Sequence, residues 1–196
     1  MKRNIIIILS ILVFQMMNAQ SETIYYNNGN IKKISTVDSK SGIIKLKEYY
    51  ESGPLNRKYF KNGFGQIIGK KIRYRENGKL LYVWNFNSDG KRYGKWLEYD
   101  EDGNISRSQN YTGGVKTGTW KTYWKKDILS EKKEYDENGI LRKKIDYWEN
   151  GERFRECLYD SKGKIISEFF FDKTGKKYTL PTAVGIVEKS CIQLSN

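Results

Sequence analysis

Short runs rich in β-branched and aromatic residues recur along this chain, each six to eight residues long and bounded by polar turn formers. Lys79-Leu80-Leu81-Tyr82-Val83-Trp84-Asn85-Phe86 and Ile165-Ile166-Ser167-Glu168-Phe169-Phe170-Phe171 are typical. Such segments predict strands. No window keeps an apolar 3.6-residue period long enough to argue for a helix. Between the runs stands a ladder of glycines: Gly29, Gly42, Gly53, Gly63, Gly78, Gly90, Gly103, Gly114, Gly139, Gly151, Gly163 and Gly175, the last four spaced 12, 12 and 12. Asp127 fills the one vacant rung, and the steps of 10 and 15 around Gly63 predict a shifted loop. Asn-Gly or Asp-Gly occupies seven rungs, which suits the positive φ of tight hairpin turns. Strands this short, joined this tightly, run antiparallel to their neighbours.

A longer period lies over the first. Tyr26, Tyr50, Tyr74, Tyr99, Tyr123, Tyr147 and Phe171 follow one another at 24 or 25 residues, so the unit is a two-strand hairpin. Every second strand of a meander points the same way, so these rings are expected to stack in a column. Phe86, Tyr111, Tyr135 and Tyr159 would form a companion column. Cross-strand aromatic neighbours contribute roughly 0.2–1 kcal/mol each, and an array of this kind holds because each unit covers the next.

Two neighbouring units add a signature. Gly90-Lys91-Arg92-Tyr93-Gly94-Lys95-Trp96-Leu97-Glu98-Tyr99 recurs 24 residues later as Gly114-Val115-Lys116-Thr117-Gly118-Thr119-Trp120-Lys121-Thr122-Tyr123. Glycine two residues before tryptophan lets a large ring lie against bare backbone. The pattern resembles the bacterial MORN-variant repeat, roughly G-x-x-x-G-x-W-x-x-Y-x-x-x-G-x-L, over about residues 22 to 180. The resemblance implies an all-β fold, an antiparallel meander of tandem hairpins forming an elongated twisted sheet, and brings no catalytic motif. Many such proteins are labelled antitoxin components, so the resemblance also implies an alternative role, neutralising a partner toxin.

The leader narrows the setting. Lys2 and Arg3, the apolar run Ile5 to Phe14 and the small-residue site at Ala19 make residues 1–19 an expected signal peptide. The run is too short for an ordinary membrane span, so no transmembrane span is expected after cleavage. Residues 20–180 form the repeat domain, and residues 181–196 abandon the repeat as a tail or cap over an open edge. Cys157 and Cys191 are either a disulfide tying that tail down or two thiols.

Charge and residue inventory bound the chemistry. The net charge is +13, with 36 Lys and Arg against 23 Asp and Glu, which favours anionic partners. Histidine is absent, which removes Ser-His-Asp and Cys-His catalysis and every His-ligated metal site. No cofactor is implied. Asp100, Glu101, Asp102, Asp136, Glu137, Glu149 and Asp160 recur at turn positions and read as turn formers before they read as the paired carboxylates of a hydrolase. Export argues against nucleic acid as a partner. The expected function is therefore a non-catalytic binding or scaffolding module for a protein or an anionic envelope component. Trp84, Trp96, Trp120, Trp124 and Trp148, with Arg73, Arg75, Lys91 and Arg92, are the candidate contact residues.

Overall fold

The computed structural model describes residues 20–178. The leader, the tail and Cys191 lie outside the described residues, and with them the signal, cap and disulfide readings. The first strands are β1 (Gln20–Tyr25), β2 (Ile31–Val37), β3 (Ile44–Tyr49), β4 (Leu55–Lys61) and β5 (Ile67–Tyr74). Next come β6 (Leu80–Phe86), β7 (Gly94–Tyr99), β8 (Ile105–Thr112), β9 (Val115–Lys116) and β10 (Gly118–Lys125). The chain continues through β11 (Ile128–Tyr135), β12 (Leu141–Tyr147), β13 (Arg153–Tyr159), β14 (Ile165–Phe171) and β15 (Lys177–Tyr178). All 15 belong to one antiparallel sheet in sequence order, an open meander with the two-residue β9 paired to β8 alone. No helix occurs among the described residues.

The turns are built one residue longer than an Asn-Gly pair alone would make them. At 136–140 the Asp136 N–H donates to Ile140 O at 3.0 Å and the Gly139 N–H to Asp136 O at 3.1 Å. Gly139 alone takes positive φ, 82°, while Asn138 does not. This is a type I turn closed by a left-handed glycine, which inserts one extra residue, and the ladder shifts register there between Glu134 and Tyr135. The first turn residue supplies a second lock. Asp136 Oδ1 accepts from Asn138 N at 3.0 Å and Ile140 N at 2.9 Å, and Asp160 does the same with Lys162 and Lys164, both at 2.8 Å. The acidic turn residues thus hold their own hairpins together.

Asp127 has φ 60° and is the one described non-glycine residue with positive φ, as a vacant rung requires. The rung at 63 is a correction. Asn62 Oδ1 accepts from Phe64 N and Gln66 N, so Asn62 opens the turn and Gly65, φ 78°, closes it. The steps from Gly53 to Gly65 to Gly78 are then 12 and 13, and no loop is shifted.

The columns also need correcting. β1 ends at Tyr25 and β3 at Tyr49, whereas Tyr26 and Tyr50 are first turn residues, equivalent to Arg75, Asp100 and Trp148. The strand-end rings Tyr49, Tyr74, Tyr99, Tyr123 and Tyr147 share one face and one end of the sheet, but alternate strands lie about 9.5 Å apart, beyond ring contact. No ring pair among the described residues joins two of them. Ring contact runs instead between adjacent strands, on the other face.

Candidate functional surfaces

Alternation along each strand and the register between strands assign every side chain to one of two faces. The ring face carries a ladder of aromatic contacts: Tyr82 on Trp84 at 3.8 Å, Trp84 on Trp96 at 4.6 Å, Trp96 on Tyr111 at 5.3 Å, Tyr111 on Trp120 at 5.1 Å and Trp120 on Tyr135 at 4.9 Å. Phe86, Tyr111 and Tyr135 of the expected companion column belong to it, with tryptophans between them.

The Gly-x-Trp element builds this ladder. Gly94 stands directly opposite Tyr111 and Gly118 opposite Tyr135, so each tyrosine ring crosses a strand where no side chain rises. Both glycines have φ near 60°. The tryptophans turn their indole N–H back to the sheet: Trp96 Nε1 donates to Asn85 O at 2.7 Å and Trp120 Nε1 to Asn110 O at 2.9 Å. The same asparagine side chains brace the tryptophan strand, Asn85 Nδ2 donating to Lys95 O and Asn110 Nδ2 to Thr119 O. Asn85 and Asn110 were legible only as a 25-residue echo, each just before an aromatic residue.

Cations cover the ladder. Arg92 lies 4.8 Å from the Trp96 ring and 5.2 Å from Tyr111, and Lys116 lies 5.1 Å from Trp120 and 5.5 Å from Tyr135. Lys71 sits 5.7 Å from both Tyr59 and Trp84, and burial lowers its pKa. Burial, then a 2.6 Å hydrogen bond to Glu48, pushes the Tyr59 hydroxyl up to about 12. These contacts resemble packing more than an empty platform.

Trp84, Trp96, Trp120 and Arg92 are therefore brought together, and Arg73 stands opposite Tyr82 on the same face. Trp96 is only 6% exposed. The remaining candidates go elsewhere. Arg75, Trp124 and Trp148 occupy one rim, where each donates to the carbonyl of the strand-end residue two strands on: Arg75 to Tyr99 at 2.9 Å, Trp124 to Tyr147 at 3.1 Å and Trp148 to Phe171 at 3.2 Å. Tyr26 and Tyr50 make the same strap to Tyr49 and Tyr74. Asp100 has no donor to offer, and the strap toward Tyr123 is missing. Trp124, 55% exposed, lines a rim hollow of about 520 Å³ with Trp148 and Lys173. Lys91 is exposed in its turn.

Residues 92–112 and 129–150 match the family model for the MORN repeat variant. These two segments are MORN-variant repeats. The first runs from Arg92 through Gly94, Trp96 and Tyr111, the parts that make the ladder; the second spans β11, β12 and the turn between them. The match carries the repeat and does not carry an antitoxin role. No curated protein matches the chain. MORN repeats are generally binding modules and generally not catalytic.

The opposite face of the sheet is of another kind. From β2 to β7 it presents Lys45, Lys47, Lys58, Lys70 and Lys95 among Ile34, Phe60, Ile72, Val83 and Leu97, and no strand residue on it there is acidic. None of those five lysines is in an ion pair among the described residues. Lys47 and Lys58 are direct cross-strand partners. Further along the same face charges are matched: Lys132 with Glu134 at 2.7 Å, and Lys143 and Arg153 with Glu156 at 2.8 and 2.9 Å. Reading this required knowing which lysines share a face, and that depends on bulges the sequence does not announce. No helix of the described residues is long and apolar enough to cross a membrane.

Proposed function

We propose that this protein is an exported, non-catalytic binding module that holds an anionic partner, an acidic protein or an anionic envelope component, on the lysine face of β2 to β7. The observation that carries the reading is the Lys47–Lys58 pair. Like charges directly opposite one another cost a sheet stability, and here the cost is not relieved by any strand carboxylate on that stretch of face. Elsewhere in the same sheet the cost is avoided by pairing. A surface kept positive against the interest of the fold suits a partner that brings the negative charge.

The ring face supports the reading by exclusion. Its tryptophans are packed on one another and covered by Arg92, Lys116 and Lys71, so it serves as the keel that stiffens a single-layer sheet. The test is capture from envelope extracts by the purified protein and by a variant with Lys45, Lys47, Lys58 and Lys70 changed to Glu. A control changes Lys125, Lys126, Lys162 and Lys164 to Glu. The reading expects a retained component lost with the first set and kept with the second, and lost from the parent in high salt. Equal retention by both variants would overturn it.

A further inference from the structure

Within the lysine face one place is hollow. Thr36, Lys45, Phe60 and Ile68 are successive cross-strand partners on β2, β3, β4 and β5, so they form one row across the sheet. The loop after β2 rises beside this row, with Asp38, Ser41 and Ile43 as a wall, and Gly69 lines the far end. The resulting groove holds about 490 Å³, within the ordinary range for ligand sites. Its lining is mostly apolar, and Phe60 remains 38% exposed at its floor.

The wall is held in place. Asp38 N donates to Ile43 O at 2.9 Å, and Gly42 N to Asp38 O at 2.8 Å. Asp38 Oδ1 accepts from Ser41 N at 2.9 Å and Lys40 N at 3.0 Å, which ties this oxygen to the loop. The next row on the same face is Ile34, Lys47, Lys58 and Ile72. Two residues along a strand is about 6.6 Å. An apolar chain lying in the groove is therefore flanked by two ammonium groups that have no strand carboxylate on their face.

We infer that the groove takes the chain of a soluble single-chain anionic amphiphile, of which a fatty carboxylate is the simplest, with its head group at Lys47 and Lys58. The inference rests on the lysine face being the binding surface and names the chemistry one part of it selects. An apolar trough alone would take any greasy chain, and lysines alone would take any polyanion. Their adjacency selects a molecule carrying both.

The experiment is calorimetric titration of the purified protein with dodecanoate below its micelle concentration, beside dodecyltrimethylammonium, butyrate, and vesicles of anionic phospholipid. Saturable one-to-one binding of dodecanoate is expected, with butyrate and the cationic amphiphile at least tenfold weaker. Phe60→Ser is expected to weaken dodecanoate at least tenfold with its circular dichroism unchanged, as is the double change Lys47→Glu and Lys58→Glu. Equal binding of the cationic amphiphile, indifference to Phe60→Ser, or binding to vesicles alone would overturn the inference. Should dodecanoate fail while the lysine variants still abolish capture from envelope extracts, the groove inference falls and the basic-face reading stands.

Discussion

The indole N–H of Trp120 and the main-chain N–H of Thr117 converge on one acceptor, the Asn110 carbonyl, at 2.9 and 3.0 Å. One repeat earlier Trp96 and Tyr93 do the same to Asn85, at 2.7 and 3.0 Å. Among the described residues the sheet is a single layer that finds its core within its own face, and this is how these repeats do so. The glycine removes a side chain, the tyrosine ring crosses the gap, and the tryptophan locks beside it.

Tryptophans of this chain are therefore expected to differ sharply in their worth to the fold. Trp96→Ala removes a buried ring in contact with Trp84, Phe86 and Tyr111 and is expected to cost about 3–5 kcal/mol. Trp124→Ala removes a half-exposed ring and one hydrogen bond, and is expected to cost about 1 kcal/mol. Denaturant midpoints of the two variants compare them directly; equal losses would contradict the ladder as core.

Gly139→Ala is expected to destabilise more than Gly151→Ala. Both positions have φ above 80°, so each substitution meets left-handed strain of about 1–2 kcal/mol. A Cβ at 139 would also fall 2.8 Å from Val115 Cγ1, whereas one at 151 meets nothing within 4 Å. Thermal unfolding of the pair gives the order.

Lys47→Glu separates stability from function. It places a carboxylate opposite Lys58, and is expected to raise stability by roughly 0.2–1 kcal/mol while weakening capture of the anionic partner. A stabilised variant with undiminished capture would show that the like-charge pair serves something else.

The turn aspartates set an acid limit. Asp160 is held below its ordinary value of 3.8 by the backbone N–H of Lys164 and then of Lys162, and Asp172 by the Thr174 hydroxyl and then its N–H. A folded pKa below the unfolded one means these bonds contribute fully above the unfolded value and fade as pH falls through the folded value. Stability is expected to drop below about pH 4. The double change Asp160→Asn and Asp172→Asn, which keeps an acceptor without titration, is expected to flatten that drop in unfolding curves taken across the acid range. An unchanged slope would remove the turns from the acid response.

Much of this architecture is written in the spacing of single residues. The 12-residue rungs, the antiparallel order and even Asp127 as a substitute rung follow from turn chemistry, which is local. What failed was the parity of individual positions. Gly63 looked like a rung because it follows Asn62, yet Asn62 opens a turn that Gly65 closes. Tyr26 and Tyr50 kept the 24-residue period but stand one residue past the strand ends. The same one-residue ambiguity hid the proposed binding surface. Most of the hairpins carry a register shift at the turn, so lysines far apart in sequence share a face only after every bulge has been counted. Trp84, Trp96 and Trp120, conspicuous in the sequence as contact residues, are built into the ring ladder, while Trp124 and Trp148 stand on the rim.

The most direct test of the account is an amine-acetylation footprint of the protein with and without the retained envelope component, read lysine by lysine. Protection concentrated at Lys45, Lys47, Lys58 and Lys70, with Lys33 and Lys61 on the ring face and Lys162 and Lys164 in a distant turn unchanged, is the predicted result. Protection concentrated on the ring face or along the later strands would contradict it.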